Sequence, residues 1–336
     1  MTDAQLPRVV VLSTGGTIAG RGDSSMSLTE YKAGSLKGEQ LVDAVPEIKE
    51  FARVSVEQIA NIGSSNMTIA VWRQLADRIN QLFVEDADVA GVVITHGTST
   101  IEETAYFLNL TVKHDRPVVL VGAQRPATAI SADGPLNLVN AVRVAACPQS
   151  RSRGVLVVLN DEINAARDVT KSNTYRAETF RSGELGFLGY VDQDKVAYYR
   201  MPEKRHTAHS EFDLKALKEL PAVEIVYSAA ESNAPLIIEA LENAGVRGIV
   251  FAATGAGSLS NRERDSVAKS VAAKRGTVFV RSTRVANGRV LARPDFDALG
   301  IVAADNLSPQ KSRILLMLAL AVTSDVAEIR RMFSEY

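Results

Sequence analysis

Residues Arg8 to Gly22 read RVVVLSTGGTIAGRG, and the rest of the chain is organised around them. A short apolar run of β-formers closed by glycines predicts a buried strand of a parallel sheet. Gly15 and Gly16 let the backbone turn sharply where that strand ends. Thr17 is then presented at the carboxyl edge of the sheet, where open α/β folds hold their ligands, and it becomes a candidate nucleophile. The alternative is a glycine-rich turn that only joins a strand to a helix. GGTIAG also misses the G-x-G-x-x-G spacing, which argues against a dinucleotide site.

Working outward, Arg21 to Gly38 is long, rich in Gly and Ser, and without periodicity. Placed directly after a candidate site, it reads as a lid loop; the alternative is a disordered surface loop, against which Tyr31 argues, because an aromatic in such a loop usually packs on something. Gly38 to Val45 and Pro46 to Phe51 are helical in pattern, and Val54 to Ile59 reads as a strand. The strand leaves through Asn61-Ile62-Gly63-Ser64-Ser65-Asn66. Trp72, Leu75, Ala76, Ile79, Leu82 and Phe83 recur at helical spacing and form a core-facing stripe. Val89 to Thr95 is the next buried strand, followed by His96-Gly97-Thr98-Ser99-Thr100 and a helix over Ile101 to Val112. Ser99 with Glu102, and Thr100 with Glu103, have capping-box spacing, so Ser99 has a structural role available without catalysis.

Pro117 to Gly122 is a fourth strand, Asp133 to Ala146 a helix, and Val155 to Leu159 a fifth strand. A polar segment through Asn160, Asp161, Arg167, Asp168 and Lys171 follows. Strand, polar turn and helix in repetition predict a parallel sheet flanked by helices, with its loops gathered on one edge. Hydroxyl-bearing turns end three of the strands, at Thr17, Ser64 and Thr98, and that convergence is more specific than any single turn. Periodicity weakens from Phe180 to Leu220, and a second α/β unit then begins, with strands at Val223 to Tyr227, Gly248 to Ala253 and Thr277 to Arg281. Its helices are expected at Ala234 to Ala244, Arg262 to Arg275 and Ser308 to Val322. The expected class is α/β, with a larger parallel-sheet domain over 1–200, a linker over 201–221 and a smaller α/β domain over 222–336.

Composition narrows the functions. With 336 residues, 46% hydrophobic and 23% charged, the chain has the make-up of a globular protein with a substantial core. A net charge of −1 gives no electrostatic case for nucleic acid or an anionic membrane surface. No apolar run is long enough to span a bilayer. MTDAQLPRVV carries no basic and apolar leader pattern, and Cys147 is the single cysteine, so a cytoplasmic location is expected. His96, His114, His206 and His209 are too scattered for a zinc site, and His206 with His209 is expected to be solvated.

Three motifs stand together: Ser13-Thr14-Gly15-Gly16-Thr17-Ile18-Ala19-Gly20, Thr95-His96-Gly97-Thr98-Ser99-Thr100-Ile101-Glu102-Glu103-Thr104, and Gly122-Ala123-Gln124-Arg125-Pro126 through Ser131-Ala132-Asp133-Gly134-Pro135. With Asn306-Leu307-Ser308-Pro309-Gln310-Lys311 near the carboxyl end, the chain resembles the bacterial-type L-asparaginases of the asparaginase/glutaminase family along nearly its whole length. The resemblance implies a homotetramer, a dimer of dimers whose active sites are shared between subunits. It implies hydrolysis of a small amide through a covalent acyl-enzyme, with no metal and no organic cofactor. Thr17 matches the family's nucleophile, Tyr31 the lid tyrosine that helps deprotonate it, and Thr98 with Lys171 the second threonine and its lysine. Ser64 matches the serine that holds the substrate's α-carboxylate. The residues support this chemistry independently. A threonine hydroxyl needs a neighbouring proton acceptor at neutral pH, a buried lysine gives up its proton more readily than a solvated one and can then act as a base through Thr98, and turn amides can receive an oxyanion.

Departures from the family pattern fall on the groups that recognise the substrate's α-ammonium. Ser99 stands where the family has an aspartate, Ser65 where it usually has a glutamine, Ala256 where it has an asparagine, and Arg293 where it has a glutamate. An ammonium in a closed site needs anionic or carbonyl partners, and leaving it unpaired costs several kcal/mol. These exchanges therefore point to a carboxylate-bearing amide without a free α-ammonium. Two alternatives stand beside that expectation: ordinary hydrolysis of L-asparagine, with Arg293 directed to solvent and Ser99 a helix cap, and a ligand-binding homologue without turnover.

Overall fold

In the computed structural model, residues 6–336 are described; the first five residues, part of the stretch read above for a leader, lie outside them. β1 (Arg8–Gly15) is buried along almost its full length because valines and leucine alternate between two helical layers. Val9 and Val11 enter the apolar cluster formed with Leu41, Val42, Leu138, Ala141 and Val142. Val10 and Leu12 are equally buried and point to the opposite face.

Helix α1 (Gly38–Asp43) and a short turn at Pro46–Glu50 lead to β2 (Arg53–Ile62). This strand is longer than its apolar pattern suggested, since its end keeps pairing with β1 as far as Gly15 opposite Ile62. Then follow α2 (Ile69–Glu85), β3 (Val89–Thr95), α3 (Ile101–Thr111), β4 (Val118–Val121), α4 (Gly134–Ala146) and β5 (Val155–Leu159). All of the pairings among these five strands are parallel, in the order β2-β1-β3-β4-β5.

The sheet does not stop at β5, and its remainder is antiparallel. Asn160 and Asp161 adopt φ values of 52° and 64°, which folds β6 (Glu162–Ala165) back on β5 through a two-residue turn. A two-stranded ribbon of β7 (Thr170–Lys171) and β8 (Phe180–Arg181) follows. β9 (Gly189–Val191) pairs antiparallel with β6, and β10 (Val196–Tyr198) pairs antiparallel with β9, completing an eight-stranded sheet. The segment where periodicity weakens therefore supplies two strands, with β10 at the edge of the sheet.

The chain divides into two compact units between Ser210 and Glu211. The second contains β11 (Val223–Tyr227), α5 (Ala234–Asn243), β12 (Gly248–Ala253), α6 (Asn261–Ala272), β13 (Val278–Thr283), α7 (Pro294–Asp297), β14 (Val302–Ala303), α8 (Pro309–Val322) and α9 (Val326–Glu335). Its four strands pair in parallel in sequence order. Val226, Ile249, Phe251 and Phe279 pack under Ala234, Ile238 and Val267, forming a core of its own. The fold is thus a mixed α/β architecture with a large, mainly parallel sheet in the first unit and a smaller parallel sheet in the second.

Candidate active site

Strand order decides where a ligand can sit in the first unit. From β1 the chain goes to β2 on one side and to β3 on the other, so the order reverses between β1 and β3. Connections leave in opposite directions at such a point and open a crevice at the carboxyl ends of the strands. Thr17 leaves β1 and Thr98 leaves β3 at that crevice. Glycines bring the two exits together. A Cβ on Gly16 would lie 2.3 Å from the Cα and N of Gly97, and one on Gly97 would lie 2.7 Å from Ser64 Oγ. Gly16 adopts φ 84°, which only glycine takes without strain. The three hydroxyl turns foreseen in the sequence therefore meet, with Thr17, Ser64 and Thr98 all buried.

The lid lies over Thr17. Tyr31 Oη is 2.7 Å from Thr17 Oγ1, and the Tyr31 ring covers Gly20 so closely that a Cβ there would meet Cδ2 at 2.7 Å. The loop after β4 clamps the lid's root: Ala127 N–H donates to Gly20 O, Ile130 N–H to Ser25 O, and Gly22 N–H to Thr128 Oγ1. That loop is itself held by Asp133, whose carboxylate accepts the N–H groups of Gln124 and Arg125 at 2.9 Å. Gln124 Nε2 is buried here and has no partner among the described residues.

Thr98 receives a hydrogen bond from Lys171 Nζ at 2.8 Å. Burial pushes the Lys171 ammonium below its ordinary value, opposed by the nearby carboxylate of Glu102. Glu102 Oε2 also accepts the main-chain N–H of Lys171 at 2.9 Å.

Below this turn runs a directed chain that sequence reading missed. Trp72 Nε1 is 2.7 Å from Thr104 Oγ1, Thr104 Oγ1 is 2.9 Å from His96 Nε2, and His96 Nδ1 is 2.7 Å from Gly97 O. A carbonyl only accepts, so Nδ1 carries the proton and Nε2 accepts from Thr104. The whole chain therefore points one way, from the indole to the carbonyl that precedes Thr98. Complete burial holds the His96 imidazole down to about 4, so it is neutral in this arrangement.

The expected recognition residues lie at the surface of the chain. Ser65 and Ser99 are both exposed. The capping expectation for Ser99 fails: the N-cap of α3 is Thr100 and makes no side-chain cap, because Thr100 Oγ1 donates to Ser64 O and Glu102 turns to Lys171. Ser99 instead gives its main-chain N–H to Ser64 Oγ at 3.1 Å. Ala256 and Arg293 belong to the second unit and both are exposed. Arg293 binds Asp295 through Nε at 3.1 Å and Nη2 at 3.0 Å, so its fork is already engaged. His206 is not solvated as expected; it is buried, Nδ1 lies 2.9 Å from Thr207 Oγ1, and burial lowers its basicity. Among the described residues no group of His, Cys, Asp and Glu is arranged to hold a metal ion, and no helix is long and apolar enough to cross a membrane.

Comparison with known proteins bears on this geometry. Residues 8–204 match the family model for asparaginase, N-terminal, and residues 222–333 match that for the glutaminase/asparaginase C-terminal domain. The chain is 49% identical over 331 residues to L-asparaginase 2 of Bacillus subtilis (strain 168), covering 98% of this chain and 87% of that protein. It is 50% identical over 336 residues to the probable periplasmic L-asparaginase of Haemophilus influenzae (strain ATCC 51907 / DSM 11121 / KW20 / Rd), covering 99% and 94%. The crystal structure of the probable cytoplasmic L-asparaginase from Campylobacter jejuni superposes with a TM-score of 0.95 at 46% identity, covering 98% of this chain and all of that one.

Proposed function

The chain belongs to the asparaginase/glutaminase family, whose members are amidohydrolases acting on linear amides, and from that premise we propose that it hydrolyses L-asparagine to L-aspartate and ammonia with Thr17 as nucleophile. The observation that carries this reading is the pairing of two buried hydroxyls with proton-handling groups, Thr17 with Tyr31 at 2.7 Å and Thr98 with Lys171 at 2.8 Å. Thr17 Oγ attacks the side-chain carboxamide carbon while its proton passes to the Tyr31 and Thr98–Lys171 groups. Main-chain amides of the glycine turns receive the oxyanion, a contribution typically of about 3 kcal/mol for one donor. The C–N bond then breaks, ammonia leaves with the proton, and a water cleaves the ester by the same route. Ser64, buried beside Gly97, receives the α-carboxylate.

A second reading is favoured by one observation: position 99 offers a hydroxyl where an α-ammonium would need an anion. On that reading the substrate is a carboxylate-bearing amide with its α-amino group absent or acylated. Arg293, the other support for it, is engaged by Asp295 and contributes less than its sequence position promised. A site assembled from shared subunits of a homotetramer, and a cytoplasmic location, are parts of the same proposal. The single cysteine and the similarity to the Campylobacter jejuni protein support that location.

Ammonia release from L-asparagine, L-glutamine, succinamate and N-acetyl-asparagine tests both readings, with Thr17→Ala as control. Turnover of L-asparagine above the other three, lost in Thr17→Ala, is the expected result. Preference for succinamate or N-acetyl-asparagine selects the second reading, and full activity in Thr17→Ala overturns both.

A further inference from the structure

Lys171 lies on a two-residue strand and approaches Thr98 from outside the main sheet, so something must hold it there. The group that does so is Glu102, only 7% exposed, in the first turn of α3 and four residues beyond Thr98. Its Oε2 takes the Lys171 main-chain N–H at 2.9 Å, fixing the backbone from which the ammonium reaches Thr98. We infer that Glu102 is a positioning residue of the relay, clamping Lys171 against Thr98 and stabilising the ammonium that forms when Lys171 takes a proton. The inference rests on the relay reading above.

The proton balance makes the role concrete. As water attacks the acyl-enzyme, its O–H bond breaks toward Thr98 Oγ, and the Thr98 proton moves to Lys171 Nζ, leaving Thr98 neutral and Lys171 cationic. A cation forming in a half-buried place needs an anion close by, as an aspartate serves the imidazolium of a serine-protease triad. Ser99 supplies none, being a hydroxyl and exposed. The groups around Lys171 are the Thr98 hydroxyl from the turn after β3, the Glu102 carboxylate from α3, and Phe180 and Arg181 across the β7–β8 ribbon. Arg181 pairs in register with Thr170 rather than Lys171 and its guanidinium is 3.5 Å from Glu162. Glu102 is therefore the charge that acts on Lys171, against the effect of burial.

Glu102→Gln tests this, because the amide oxygen still accepts the Lys171 N–H while the charge is gone. The expected result is a KM close to wild type, a plateau kcat reduced about tenfold, and an acid limb of the kcat profile displaced about one pH unit downward. The limb moves down because Lys171 loses its proton more readily without the anion. A lower kcat with an unmoved limb means packing alone and overturns the inference. Should Glu102→Gln give no folded protein, Glu102→Asp decides: it keeps the charge, so the limb stays in place, and a limb displaced downward overturns the inference. Lys171→Met separates the two levels. If it retains turnover, the relay reading fails; if it abolishes turnover while Glu102→Gln behaves as wild type, only the role of Glu102 fails.

Discussion

Replacing His96 by asparagine isolates the energetic consequence of the buried chain beneath Thr98. His96 is fully buried and its imidazole is held at about 4, against 6.5 when solvated, because charging it in the interior is unfavourable. The unfolded chain therefore takes up this proton first as pH falls. Stability is unaffected by His96 above pH 6.5, declines as pH falls toward about 4, and is fully reduced below that. The interval corresponds to about 3 kcal/mol, a large part of a typical domain's stability. Asparagine keeps a donor for Gly97 O but cannot titrate. The variant is less stable at pH 7, since Thr104 loses its acceptor, but its stability falls less between pH 7 and 4. Urea unfolding at pH 7, 6, 5 and 4, at one fixed protein concentration, measures this difference. Wild type should lose about 3 kcal/mol more than His96→Asn over that range. Parallel curves for the two proteins would refute the assignment of His96 as a buried neutral group. His206, whose basicity is also lowered by burial, contributes equally to both curves and cancels.

Gly16→Ala places a methyl 2.3 Å from the Gly97 backbone at φ 84°, and should cost at least about 2 kcal/mol together with most activity. A thermal midpoint and specific activity equal to wild type would show that the two strand exits do not need this contact. Tyr31→Phe removes only the hydroxyl facing Thr17 and should lower kcat about a hundredfold or more, with a stability change under about 1.5 kcal/mol; a kcat near wild type, with circular dichroism unchanged, removes Tyr31 from proton transfer. Thr104→Val leaves both the Trp72 indole N–H and His96 Nε2 without a partner and should cost about 2 kcal/mol or more by urea unfolding.

How far the sequence carries depends on what each residue must satisfy. β3, β5, β11 and β12 fall where their apolar runs place them, because a strand buried on both faces leaves an unbroken hydrophobic record. β6, β9 and β10 were not foreseen: each has three or four residues, and β6 pairs with β5 through the Asn160–Asp161 turn rather than by pattern. That pair of turn residues was the available signal. α9 was also missed, although Ile329, Met332 and Phe333 form its buried stripe. In the site, hydroxyls at the ends of strands were visible as a recurrence, because each sits at a glycine break. Lys171 was found by resemblance, since a two-residue strand has no period to read. The Trp72–Thr104–His96 chain joins α2, α3 and the turn after β3, and no local spacing encodes a contact among three elements.

The same distinction separates the chemistry of the site from its choice of substrate. Thr17, Ser64 and Thr98 are buried, on strand exits whose backbones touch, and Gly16, Gly97 and Ser64 leave no room for a change of shape. A substitution among these residues is penalised in folding before its effect on catalysis is felt. Ser65, Ser99, Ala256 and Arg293 are exposed in the chain, and none of their side chains belongs to an apolar cluster of either unit. Exchanges there cost little stability. On the proposed reading, Thr17 and the Thr98–Lys171 pair sit where substitution is costly to folding, whereas positions 65, 99, 256 and 293 sit at exposed places where it is not. On that reading the residues at positions 65, 99, 256 and 293 govern which amide is bound, and the close approach of Gly16 to Gly97, which leaves no room for a side chain, governs what is done to it.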